Sequence, residues 1–181
     1  MTIYIALLRG INVGKNNRIK MADLKSLLET MGLEKVKTYI QSGNVLFESK
    51  DDATQLSQRL ENEISKTFGF PVPVILRTAE EYEQIIRDCP FSFDSLMEGE
   101  SIQLAFLANE PSQEKIEYLR SYESGPDECF IKGKEVYLFL RQSILDSKLA
   151  AQLPKLGVQA TVRNWKTVIK LETMVKEMGN L

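Results

Sequence analysis

Six consecutive positions, Ile3-Tyr4-Ile5-Ala6-Leu7-Leu8, form an unbroken apolar run rich in β-formers that stops at Gly10, which predicts a buried strand followed by a loop. Met21, Leu24, Leu28 and Met31 then recur at helical spacing, with Gly32 where a helix C-cap is wanted. Residues 36–41 and 45–48 are strand-like, and Ser42-Gly43-Asn44 between them is turn chemistry for a tight hairpin. Asp52 is placed to cap a helix whose Leu56, Leu60, Ile64 and Phe68 share one face, closed by Gly69 and followed by a strand at residues 72–76. The order is βαββαβ.

Thr78-Ala79-Glu80-Glu81 has the form of a capping box and starts a short helix that must end near Pro90, with residues 91–99 as a connector. The pattern then restarts. Residues 102–107 read as a strand, and Ser112 caps a helix bearing Ile116, Leu119 and Tyr122. Residues 129–131 pair with 136–140 across Lys132-Gly133-Lys134-Glu135; a helix around Leu145, Leu149 and Leu153 and a strand at 158–162 follow. Asn164 caps a final helix carrying Trp165, Val168, Ile169, Leu171, Val175 and Met178. The two hairpins superpose in sequence, Val45-Leu46-Phe47 on Val136-Tyr137-Leu138, which a structural duplication explains. The expected fold class is therefore α+β, with two tandem ferredoxin-like (βαββαβ) antiparallel plaits and an extra C-terminal helix. The expected boundaries are 1–78 for the first plait, 79–100 for a helical connector, and 101–181 for the second plait plus its helix.

Composition narrows the chemistry. The 181 residues, 43% hydrophobic, contain no histidine, which removes the commonest general base and metal ligand and every Ser-His or Cys-His nucleophile pair. Cys89 and Cys129 lack the close spacing of a redox or zinc site and read as free thiols. Neither a metal nor a cofactor is expected. Residues 1–79 carry 11 Lys/Arg against 8 Asp/Glu, and residues 80–181 carry 12 against 17, so a net charge of −2 divides into +3 and −5. Neither half has the basic footprint of a dedicated duplex-binding protein. The opening apolar run has no basic residue before it, and no stretch approaches a bilayer-spanning length, so a cytoplasmic, membrane-free protein is expected.

In a plait the first two strands run the same way, so the loop after strand one and the hairpin between strands two and three emerge at one end. Both are polar here. The loop, residues 9–20, carries Arg9, Gly10, Asn12, Gly14, Lys15, Asn16, Asn17, Arg18 and Lys20, and the hairpin carries Gln41, Ser42, Gly43 and Asn44. Cations, amides and glycines beside a helix start suit an anionic ligand such as a phosphate or carboxylate. Gly10-Ile11-Asn12-Val13-Gly14-Lys15-Asn16 is one residue short of a phosphate-binding P-loop and has asparagine where the magnesium-binding hydroxyl belongs, so it is not an ATP motif. Residues 3–8 loosely match the first strand of an RNA-recognition plait, in which Tyr4 would stack on a base, but residues 44–48 lack the basic-glycine-aromatic pattern of its third, so Tyr4 is expected to pack. Arg163-Asn164-Trp165, where the last strand becomes the last helix, forms a second polar corner. Acidic pairs such as Asp51-Asp52 and Glu80-Glu81 stand at helix starts, where they complement the dipole and take no acid/base role.

The segments Ala6-Leu7-Leu8-Arg9-Gly10-Ile11-Asn12-Val13-Gly14, Lys20-Met21 with Leu24, Thr38-Tyr39-Ile40-Gln41-Ser42-Gly43-Asn44-Val45 and Thr161-Val162-Arg163-Asn164-Trp165-Lys166-Thr167-Val168 resemble a bacterial domain-of-unknown-function family, the one numbered 1697. The resemblance spans nearly the whole chain. It implies two plait-like halves and no particular activity. Lys15 and Lys166 depart from it, standing where a glycine and an asparagine are usual. The motif positions carried forward as ligand-binding are Arg9, Asn12, Gly14, Gln41, Ser42, Asn44, Arg163 and Asn164, with Arg18 added from the loop's charge. The leading functional reading is a binding protein for a small anionic ligand or nucleic-acid phosphates. The alternatives are a protein-interaction module using a sheet face and a histidine-independent enzyme with Ser42 or a carboxylate as the reacting group and Arg9 as its electrostatic stabiliser.

Overall fold

The structure, a computed structural model, describes residues 1–123 and 125–179. Among these residues a series of seven helices and strands occurs twice in the same order. The first set is β1 (Thr2–Leu8), α1 (Met21–Thr30), β2 (Glu34–Tyr39), β3 (Asn44–Ser49), α2 (Ala53–Phe68), β4 (Val74–Thr78) and α3 (Ala79–Arg87). The second is β5 (Ser101–Leu107), α4 (Gln113–Arg120), β6 (Glu128–Lys132), β7 (Glu135–Leu140), α5 (Lys148–Ala151), β8 (Ala160–Asn164) and α6 (Trp165–Gly179). The C-terminal helix thus has a counterpart in α3. Two compact units result, one of residues up to Gln84 together with the C-terminal stretch from Lys170, the other Ile85–Ile169.

Each set builds a four-stranded antiparallel sheet, in the orders β2-β3-β1-β4 and β6-β7-β5-β8, the split plait of a ferredoxin-like half. The registers coincide: Ala6 faces Val45 and Leu76, as Ala105 faces Val136 and Val162. In the first sheet one face, with Tyr4, Ala6, Leu8, Val45 and Phe47, packs on Leu24 and Leu28 of α1 and Leu56, Leu60 and Ile64 of α2. The opposite face, with Ile5, Leu7, Leu46 and Ile75, is also buried. Burial on both sides explains why residues 3–8 are continuously apolar where a one-sided strand would alternate. The second sheet repeats this, with Ala105, Leu107, Val136 and Leu138 against Leu119, Leu149 and Leu153, and Leu104, Phe106 and Tyr137 buried on the other side. No exposed apolar sheet face therefore exists among these residues to serve an interaction module.

Helix starts follow local chemistry. Asp52 accepts from the Gln55 amide (3.0 Å), Ser112 from Lys115 (3.3 Å), Thr78 from Glu81 (3.2 Å) and Asn164 from Thr167 (2.9 Å). Gly69 closes α2 at φ 87°. The expected helix through Leu145, Leu149 and Leu153 is corrected: Leu145 is 92% exposed, Ser147 caps a single turn, and Leu153–Leu156 is a 3-10 turn. The Ser147 cap leaves Leu145 outside the helix, and Pro154, which removes a donor and clashes with the preceding turn, keeps α5 from continuing as an α-helix. The hairpin turn also shifts. β2 ends at Tyr39, so the turn is residues 40–43, with β-branched Ile40 at φ 49° and Gly43 at φ 90°.

Tyr4 packs, as expected: it is buried against Phe47, its cross-strand partner, with ring centroids 5.7 Å apart, and its hydroxyl donates to the Asp51 carbonyl (2.7 Å). Tyr4→Phe is expected to cost about 1 kcal/mol, the net worth of that hydrogen bond, read from the urea midpoint at unchanged slope. Cys129 is buried, and burial followed by the nearby Glu123 pushes its thiol up to about 12, so it packs without reacting. Among the described residues no helix is long and apolar enough to cross a membrane, and no group of three His, Cys, Asp or Glu side chains is placed to hold a metal ion.

Candidate functional site

β1 and β2 both run antiparallel to β3 and so point the same way, which brings the loop after β1 and the β2–β3 hairpin to one end of the first sheet. They are fastened there. The Leu8 amide donates to the Gly43 carbonyl (2.9 Å), and the Asn12 side-chain amide donates to the carbonyls of Gln41 (2.7 Å) and Ile19 (2.9 Å). Asn12 Oδ1 accepts from the Ile19 amide (2.9 Å), so one side chain closes the loop on itself and ties it to the hairpin.

The loop is a small hairpin. Val13 bridges Asn16 across Gly14 and Lys15, the Asn12 amide donates to the Asn17 carbonyl (3.0 Å), and Asn17 Nδ2 donates to the Gly10 carbonyl (3.3 Å). Asn12 and Asn17 have φ of 54° and 50°, the left-handed conformation that asparagine tolerates better than other side-chain-bearing residues. Ile11 and Ile19 are buried and anchor the two ends of this loop. Arg18 and Lys20 stay exposed. Asn44, fully buried, holds the hairpin by donating to the Tyr39 carbonyl and to Ser42 Oγ, both at 2.9 Å.

An open concavity of about 430 Å³ lies at this corner, lined by Asn12, Arg18, Ile19, Lys20, Asp23, Gln41 and Phe68. The pairing of Leu8 with Val74 explains why Phe68 is there: β4 starts where β1 ends, so the C-terminus of α2 returns to the same end. Arg18, Lys20 and Asp23 form no ion pair among the described residues. The N-terminus of α1 has no side-chain cap, since Lys20 precedes it. Of the residues expected from sequence, Asn12, Arg18 and Gln41 line the concavity. Gly14 sits at the exposed loop tip, Arg9 is exposed with its backbone amide bonded to the Pro73 carbonyl (3.0 Å), and Ser42 and Asn44 brace the hairpin behind it. Ser42 Oγ accepts from the Asn44 side-chain amide. Asp23 and Phe68 were not anticipated, although Asp23 falls in the first turn of α1 and Phe68 ends the apolar face of α2.

Arg163 and Asn164 lie in the second unit and make a corner of their own. Arg163 is 7% exposed and donates to Thr161 Oγ1 (2.8 Å) and the Val162 carbonyl (3.1 Å), while Asn164 caps α6. The first unit holds their counterparts. Arg77, 3% exposed, donates to the carbonyl of its own preceding residue, Leu76 (2.9 Å), and Thr78 caps α3. Arg77 faces Ile5 and Arg163 faces Leu104, equivalent register positions, so the Arg-cap pair is a repeated feature of both halves.

The second unit also contains an open concavity of about 320 Å³ beside Asp127, Gln142, Asp146 and Lys148. Asp127 is buried there and accepts from the Arg141 amide (2.8 Å) and Gln142 Nε2 (2.7 Å). Burial raises its carboxyl, but hydrogen bonds from Gln142, Arg141 and Ser147 outweigh this and hold it below the ordinary value.

The profile of a family described as a protein of unknown function (DUF1697) matches residues 1–137. Among solved structures, the conserved bacterial protein SP0830 from Streptococcus pneumoniae is 27% identical, with a TM-score of 0.76 over 96% of this chain and 98% of that one. An unknown protein from Galdieria sulphuraria is 10% identical over 90% of this chain and 97% of that one, with a TM-score of only 0.28. No curated protein matches the chain.

Proposed function

We propose, for a chain that belongs to the DUF1697 family of proteins of unknown function, that it is a binding protein for a small anionic ligand held at the polar corner of its first half. One observation carries the reading: two cations without ion-pair partners, Arg18 and Lys20, border a concavity of ligand size beside the Asn12 and Gln41 side chains. The loop reaches that position through hydrogen bonds already satisfied within the protein, so the cations are left to face outward. The uncapped amides at the start of α1 add positive potential nearby.

The test is a thermal-shift screen against sugar phosphates, nucleotides, amino acids and short RNA, because a ligand that binds only the native state must raise the melting temperature. Arg18→Ala is expected to weaken the best small-molecule hit at least about tenfold, the loss of one charge-assisted hydrogen bond, with a salt dependence shallower than the parent's. Full affinity in that variant contradicts the site. A shift from RNA alone moves the reading to nucleic-acid phosphates.

A further inference from the structure

The charges and surfaces around this corner also restrict what kind of anion fits. We infer, resting on the reading just given, that the ligand is an organic monoanion with a flat apolar body, not a free or multiply charged phosphate. Arg18 and Lys20 contribute two positive charges to the lining and Asp23 one negative, leaving a net charge of +1 (two minus one). A dianion would meet the Asp23 carboxylate without a cation already neutralising it, since Asp23 has no ion-pair partner among the described residues. A monoanion matches the balance, and a hydrogen-bond donor elsewhere on it satisfies Asp23.

The apolar part of the lining comes from Ile19 and Phe68. Phe68 is only partly buried: it packs against the core of the first unit and still borders the concavity, so one ring both closes α2 and offers apolar surface to an occupant. At about 430 Å³ the space exceeds what a bare phosphate or acetate fills, and the remainder is where a ring would sit.

Four probes separate the possibilities in the full chain: acetate, benzoate, inorganic phosphate and phenyl phosphate, each titrated by NMR. Benzoate is expected to bind at least about tenfold more tightly than acetate, the worth of burying one side of a ring. Asp23→Asn, an exposed substitution, is expected to raise phenyl phosphate affinity several-fold while moving benzoate little, reversing any preference for the monoanion. Phe68→Leu keeps the helix end packed and is expected to lower benzoate but not acetate affinity. Equal binding of benzoate and acetate, or no gain for phenyl phosphate in Asp23→Asn, overturns this inference while leaving an anion site standing. If none of the four binds, both the inference and the anion site fail.

Discussion

Gly43→Ala is expected to destabilise the protein by about 2–5 kcal/mol, combining about 1–2 kcal/mol for a left-handed alanine with about 1–3 kcal/mol for overpacking. Gly43 has φ 90°, and a Cβ there would lie 2.8 Å from Leu8 Cβ and 2.9 Å from Ile11 Cδ1. Leu8 Cβ cannot rotate away. The substitution pushes apart the two segments that form the polar corner, breaking the Leu8–Gly43 hydrogen bond in the process. Its control is Gly133→Ala in the other hairpin, where φ is 59° and the nearest atom to the new Cβ is a mobile Glu110 oxygen at 3.9 Å. That variant should lose only about 1–2 kcal/mol, the backbone cost alone. Equal midpoint shifts in urea for the two variants contradict the close packing of hairpin on loop.

The second large effect is expected at Asp127. Asp127→Ala removes the acceptor for the Arg141 amide, Gln142 Nε2 and Ser147 in a buried site, at a cost of about 2–4 kcal/mol. The loss should depend on pH in a definite direction. A carboxyl held below its ordinary value in the folded state stabilises the protein fully above its unfolded value of about 4, and that contribution disappears as pH falls through the folded value. The stability gap between parent and Asp127→Ala should therefore be constant from about pH 7 to pH 5 and narrow toward about pH 2. A gap that stays constant to the acid limit means the charged carboxylate contributes nothing beyond shape.

What could be read from the chain was what depends on neighbours in sequence. Asp52, Ser112 and Asn164 act as caps because a short polar side chain reaches an amide three residues on, whatever surrounds it. The duplication was legible for the same reason, since each hairpin repeats its own apolar register. Ile40 was not. A β-branched residue at positive φ opposes its own propensity, and the Asn12 and Asn44 side chains that secure the two ends of the turn are bonded across the corner or hidden beneath it. The polar corner itself was visible as a cluster of amides and cations, but the concavity needed Phe68, which lies 50 positions from Arg18 (68 − 18) and arrives only because β4 pairs with the end of β1. The likeness of Arg163 to Arg77 was equally hidden, because it rests on strand register and burial shared by two otherwise different segments.

The most direct experiment is an amide chemical-shift titration of the uniformly labelled chain with benzoate, followed residue by residue. A ligand site at the polar corner predicts saturable shifts at Asn12, Ile19, Lys20, Asp23, Gln41 and Phe68, with residues 125–149 unmoved. Shifts concentrated around Asp127, Gln142 and Lys148, or none that saturate anywhere, would contradict it.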